Sequence, residues 1–138
     1  MTFFLIDDDK IFQFITDKIL RKINPEIVIE KYLDGEEGLN SIKKRIEDGV
    51  SLPDVVLLDI NMPFMNGWQF LKEYKKLHLN IGKDVHIYLL TSSNNPEDLE
   101  KAKKISELSG YMIKPVTEKE LEVLIREFPI NQWYQPRL

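Results

Sequence analysis

Five short apolar runs, each followed by a segment with helical spacing, constrain this chain more than any other feature. The runs are Phe3-Phe4-Leu5-Ile6, Ile27-Val28-Ile29 with Tyr32-Leu33, Val55-Val56-Leu57-Leu58, Val85 to Leu90, and Gly110 to Ile113. Near-continuous apolar runs belong to strands covered on both faces, because a half-solvated strand alternates apolar with polar residues. Parallel neighbours need a crossover, and the crossovers supply the cover. The alternation therefore predicts an α/β fold, with a parallel sheet between two layers of helices.

The intervening segments read as helices with recognisable ends. Ile11, Ile15, Ile19 and Ile23 recur every fourth residue, with Phe12 and Leu20 beside them, and predict an inward stripe on a helix over Lys10 to Ile23. Asp9 is placed to cap it, and Asn24-Pro25 stops it. A second helix runs through Leu39, Ile42 and Ile46 to Gly49, and a third carries Phe70, Leu71, Tyr74 and Leu77. Pro96 opens a fourth through Leu99, Ala102, Ile105 and Leu108, and Thr117 caps a last one with Leu121, Leu124 and Ile125.

At 138 residues, with 43% hydrophobic and 30% charged residues, one domain is expected. We place it at 1–127, with 128–138 as a C-terminal tail that contains Trp133-Tyr134. Nineteen basic residues against 23 acidic ones, with no basic block, argue against nucleic-acid binding by this chain alone. The lack of cysteine removes disulfides and thiolate chemistry. No apolar run approaches the ~20 residues that span a bilayer, and no export signal opens the chain, so a soluble, cytoplasmic protein without membrane contact is expected.

The chemistry-bearing residues stand where strands should end. Asp7 and Asp8, with Asp9 beside them, follow the first strand, Asp59 the third, Thr91 the fourth and Lys114 the fifth. Carboxyl ends of neighbouring parallel strands share a crevice, so these residues should meet on one rim. Carboxylates crowded together call for a cation, and Mg²⁺ takes one or two carboxylates plus phosphate oxygens, with Mn²⁺ as a substitute. A carboxylate nucleophile can form an aspartyl phosphate, a reaction that depends on charge compensation by a metal and a cationic side chain. Thr91 and Lys114 can hold the remaining phosphoryl oxygens.

Four stretches in order carry a resemblance: Leu5-Ile6-Asp7-Asp8-Asp9, Asp54 to Pro63 through Gly67, Leu90-Thr91-Ser92, and Gly110 to Pro115. Over about residues 2 to 127 the chain resembles a CheY-like receiver domain of the response regulators of two-component systems. The resemblance implies a flavodoxin-like, doubly wound (βα)5 sandwich with strand order 2-1-3-4-5. It implies that Asp59 accepts a phosphoryl group from a histidine kinase or a histidine phosphotransfer protein. Asp7, Asp8, Asp59 and the backbone carbonyl of Asn61 would hold Mg²⁺, Thr91 and Lys114 would contact the phosphoryl group, and Tyr111 would swing inward as Thr91 moves. The signalling face would be the fourth helix, fifth strand and fifth helix, and the downstream target is a protein. No output segment follows, which resembles the stand-alone subclass, a signalling domain that catalyses only its own phosphoryl transfer and dephosphorylation.

Other readings stand beside this one. Asp9 can replace Asp8 at a metal. A haloacid-dehalogenase-like phosphatase would use Asp7 as nucleophile, with Asp9, Thr91 and Lys114 in support. It needs a further acidic pair after the lysine, whereas Glu118, Glu120 and Glu122 fall in a helical stretch. A receiver-like scaffold that is never phosphorylated is the third reading. His78 and His86 receive no role, and Lys101, Lys103 and Lys104 read as a solvated helix face.

Overall fold

Each apolar run forms a strand, and each strand but the last is followed by the expected helix. The structure is a computed structural model that describes residues 1–77, 84–92, 95–129 and 132–133. In chain order the elements are β1 (Thr2–Ile6), α1 (Lys10–Ile23), β2 (Val28–Tyr32), α2 (Gly35–Asp48), β3 (Val55–Asp59), α3 (Gly67–Leu77), β4 (His86–Thr91), α4 (Pro96–Lys103), β5 (Leu108–Ile113), α5 (Glu118–Arg126) and β6 (Gln132–Trp133). All pairings are parallel, in the order β2-β1-β3-β4-β5-β6. The five-strand order is the flavodoxin-like one. The tail adds β6, which pairs Gln132 with Gly110 and Trp133 with Tyr111 along the outer edge of β5.

Strand parity sorts the core into two layers. Phe4, Ile6, Val56, Leu58, Ile87, Leu89 and Tyr111 face one side and pack with α2, α3 and α4 through Leu39, Ile42, Phe70, Tyr74 and Ala102. Phe3, Leu5, Val55, Leu57, Tyr88, Leu90 and Met112 face the other and meet Leu20 of α1 and Leu121 and Leu124 of α5. A central strand that is buried on both faces has no polar alternation to keep, which is why the runs are continuous.

The helix phases depart from expectation in two places. In α1 the buried residues are Gln13, Thr16 and Leu20, with Phe12, Ile19 and Ile23 partly covered, while Ile11 is 73% and Ile15 51% exposed. A spacing of four precesses by about 40° per step on a 3.6-residue helix, so four such residues cannot share one face. The second departure is in α4, which ends at Lys103, short of Leu108. Lys104 and Ile105 donate to carbonyls three residues back, at 3.3 and 3.0 Å, and this tightening turn delivers Leu108 into β5.

Candidate functional site

Four strand ends and two helix starts build the crevice. Ile6 of β1 lies in register with Leu58, and Asp59 with Leu90, so the residues just beyond β1 stand beside the end of β3. Parity sends Asp7, Asp59 and Lys114 to the α1/α5 side, with Leu5, Leu57 and Met112. Thr91 follows Ile87 and Leu89 to the opposite side, towards Tyr111. The Lys114 amide donates to the Thr91 carbonyl at 2.7 Å, which ties the ends of β5 and β4 together, and the Lys114–Pro115 peptide is cis.

Asp7, Asp8 and Asp59 each offer a carboxylate oxygen within 4.8 Å of the others. Asp7 and Asp59 are buried and Asp8 is exposed. Lys114 Nζ stands 2.6 Å from Asp7 Oδ2 and 3.6 Å from Asp59 Oδ1. Its ammonium is the basic group that the described residues place among the three carboxylates. Asp7 Oδ1 accepts from the Asp9 amide at 2.9 Å, whereas Asp7 Oδ2 faces Lys114 as an ion pair and receives no hydrogen bond of good geometry among the described residues. Asp59 Oδ1 accepts from the Asn61 amide at 3.3 Å.

Burial pushes the Asp59 carboxyl up to about 6, the Asp7 charge adds to the rise, and Lys114 opposes it. Asp7 is raised as well, by burial first, with Lys114 and the Asp9 amide pulling it back. A buried carboxylate pair that outnumbers its one cation is held at a cost, and a hard divalent ion relieves it. An all-oxygen cluster in which three carboxylates share one ammonium fits such an ion, Mg²⁺ among them.

Two neighbours show how the site is held. Asp9 Oδ1 accepts from the Ile11 and Phe12 amides at 3.0 and 3.1 Å. It is the cap of α1, and Asp8, not Asp9, joins the cluster. In the loop after β3, Gly67 donates to the Ile60 carbonyl at 2.8 Å, and a Cβ there would meet the Asp59 carbonyl oxygen at 2.8 Å. Only glycine lets this loop fold back under Asp59. Asn66 and Gln69 then exchange side-chain and amide hydrogen bonds, both 2.9 Å, in a capping box that starts α3.

Three further features of the strand-end loops and α1 stand out in the structure. Buried Gln13 donates through Nε2 to the carbonyls of Leu5, Asp7 and Tyr32 at 3.1, 3.0 and 2.8 Å, joining the ends of β1 and β2 beside the acids. The ring of Phe12 lies 4.4 Å from Lys114 Nζ. Phe64, 92% exposed, holds φ at 66°, a strained value for a bulky residue. No local pattern marks any of the three, and the isoleucine stripe turns Gln13 away from the face expected to point inward.

Tyr111 is fully buried, and its hydroxyl is hydrogen-bonded to the Thr91 side chain. Lys101 Nζ lies over the Trp68 ring at 4.4 Å. His86 bonds the Ser109 hydroxyl at 3.1 Å and packs edge-on against Phe128, away from the acids. His78 and Tyr134 lie outside the described residues. Among the described residues no helix is long and apolar enough to cross a membrane.

Comparison with known proteins agrees with this geometry. The response regulator receiver domain family matches residues 3–126. The chain is 27% identical to the probable C4-dicarboxylate response regulator DctR of Halalkalibacterium halodurans, over 90% of this chain and 49% of that protein. It is 32% identical to the probable transcriptional regulator ycf27 of Guillardia theta, over 88% of this chain and 42% of that one. It thus spans about half the length of these curated relatives or less. A two component response regulator from Cytophaga hutchinsonii superposes with a TM-score of 0.81 at 29% identity, covering 91% of this chain and 94% of that one. With the 2-1-3-4-5 sheet, the acid cluster and the strand-end lysine in place, the chain belongs to the response regulator receiver domains of two-component systems.

Proposed function

We propose that this chain is a phosphoacceptor switch in which Asp59 takes a phosphoryl group from a phosphohistidine of a histidine kinase or a histidine phosphotransfer protein. The observation that carries the reading is the buried Asp59 carboxylate at the end of β3, with Asp7 and Asp8 in one oxygen cluster and Lys114 Nζ 3.6 Å away. An Asp59 oxygen attacks phosphorus, the P–N bond of the donor breaks, the imidazole leaves, and an acyl phosphate remains. Asp7, Asp8, Asp59 and the Asn61 carbonyl would hold Mg²⁺, or Mn²⁺ in its place, and the ion supplies positive charge against the phosphoryl oxygens.

The chain's own groups do the rest. Lys114 balances the charge that arrives on Asp59, and Asp9 fixes the turn from which Asp7 and Asp8 project. Thr91 moves to donate its hydroxyl to a phosphoryl oxygen and so vacates space that Tyr111 can enter. That exchange passes the event from the acid cluster to Tyr111 of β5 and so to the face of α4, β5 and α5, where the output is binding to a protein partner. Incubation with acetyl phosphate and Mg²⁺, followed by intact-mass measurement, tests the reading. One added phosphoryl group on the wild type and none on Asp59→Asn is the expected result; equal labelling of both would remove Asp59 from the role.

A further inference from the structure

Lys114 is held by two kinds of group that respond differently to a bound cation. Its Nζ is 2.6 Å from Asp7 Oδ2 and also 4.4 Å from the centroid of the Phe12 ring. With 16% of its side chain exposed, the ammonium is largely withdrawn from water, where an aromatic face attracts a cation most strongly. Phe12 is fixed in turn, because its amide donates to the α1 cap Asp9 at 3.1 Å and its side chain packs on the α1/α5 core layer.

A divalent cation at the carboxylates competes with the ammonium for Asp7, since both are drawn to the same negative charge. The attraction of the ring depends on its quadrupole, which a cation on Asp7 does not neutralise. We propose that Phe12 is a positioning residue whose ring keeps the Lys114 ammonium in the crevice beside Asp59 when the carboxylates are committed to a divalent cation. Its consequence for phosphoryl capture rests on the phosphoacceptor reading above, whereas its consequence for Lys114 does not.

The test has two arms. In ¹³C-lysine NMR, with Lys114 assigned by the signal missing from Lys114→Ala, ring current should place its ε-protons upfield. That displacement should persist in saturating Mg²⁺, survive in Phe12→Tyr and vanish in Phe12→Leu. In the second arm, labelling by acetyl phosphate at saturating Mg²⁺ should slow about 3- to 30-fold in Phe12→Leu, the scale of one desolvated cation–π contact. Phe12→Tyr should stay within about two-fold of wild type, and Phe12→Leu should cost nothing further in a Lys114→Ala background.

A wild-type upfield shift that Mg²⁺ abolishes would overturn the proposal. So would an equal loss from Phe12→Leu with and without Lys114, which is what a purely structural role gives. A wild type that takes no label refutes the phosphoacceptor reading instead, and the NMR arm still decides the place of Phe12.

Discussion

Asp59 is subject to opposed demands: burial and Asp7 favour its protonated form, while the proposed attack on phosphorus needs the carboxylate. Its native value of about 6 lies above the ordinary 3.8, so the folded state binds a proton that the unfolded chain has already lost. The stabilisation is full below about pH 4 and is lost as pH rises through 6. Without divalent ions, the melting temperature should therefore fall between pH 4 and pH 7.5, and Asp59→Asn should flatten much of that slope. At pH 7.5 the variant should be more stable than wild type by on the order of 2–3 kcal/mol. Parallel pH curves for the two proteins would mean that Asp59 is not held at a cost. The identity of this residue was legible in the sequence, because an acid closing a continuous apolar run has no core role. Its raised pKa was not, since that depends first on burial by the folded chain and then on Asp7 arriving from another strand.

At the scale of elements, α1 shows what local pattern can and cannot tell. Its ends were legible because Asp9 and Asn24 act through their own backbone neighbourhood. Its inward face was not, because the isoleucine spacing drifts around the helix and the deciding contact is the Gln13 amide, which serves three carbonyls from two strands. Gln13→Ala should take one donor from each of those carbonyls, of which Tyr32 keeps the Asp7 amide at 3.0 Å, and lower the unfolding free energy by about 2–4 kcal/mol in urea titration. A loss under about 0.5 kcal/mol would place the junction's strength elsewhere. The end of α4 is hidden for a related reason: Leu99, Ala102, Ile105 and Leu108 are three apart, a spacing that suits a continuing helix and equally a helix, a turn and a strand start. β6 has no periodicity of its own to read, because the edge of β5 supplies its partners.

Across the whole molecule, the proposed switch has the sheet between capture and response: Asp7, Asp59 and Lys114 lie on the α1/α5 side, and Thr91 with Tyr111 on the other. Moving such a switch from 1:99 to 99:1 takes ~5.5 kcal/mol of differential stabilisation, the scale that a new dianion with several charged partners can supply. The same crowding of acids should make the resting protein responsive to metal. Millimolar Mg²⁺ should raise the melting temperature by about 3–8 °C, and Asp8→Ala should remove most of that rise. A melting curve indifferent to Mg²⁺ would contradict the cluster's assignment. The central claim, that Asp59 itself carries the phosphoryl group, is tested most directly by trapping the acyl phosphate with borohydride, which reduces an aspartyl phosphate to homoserine, and mapping the product by peptide mass spectrometry. The account predicts homoserine at position 59 after treatment with acetyl phosphate and Mg²⁺, and none when the ion is chelated; homoserine at position 7, 8 or 9, or equal yield with the chelator, would contradict it.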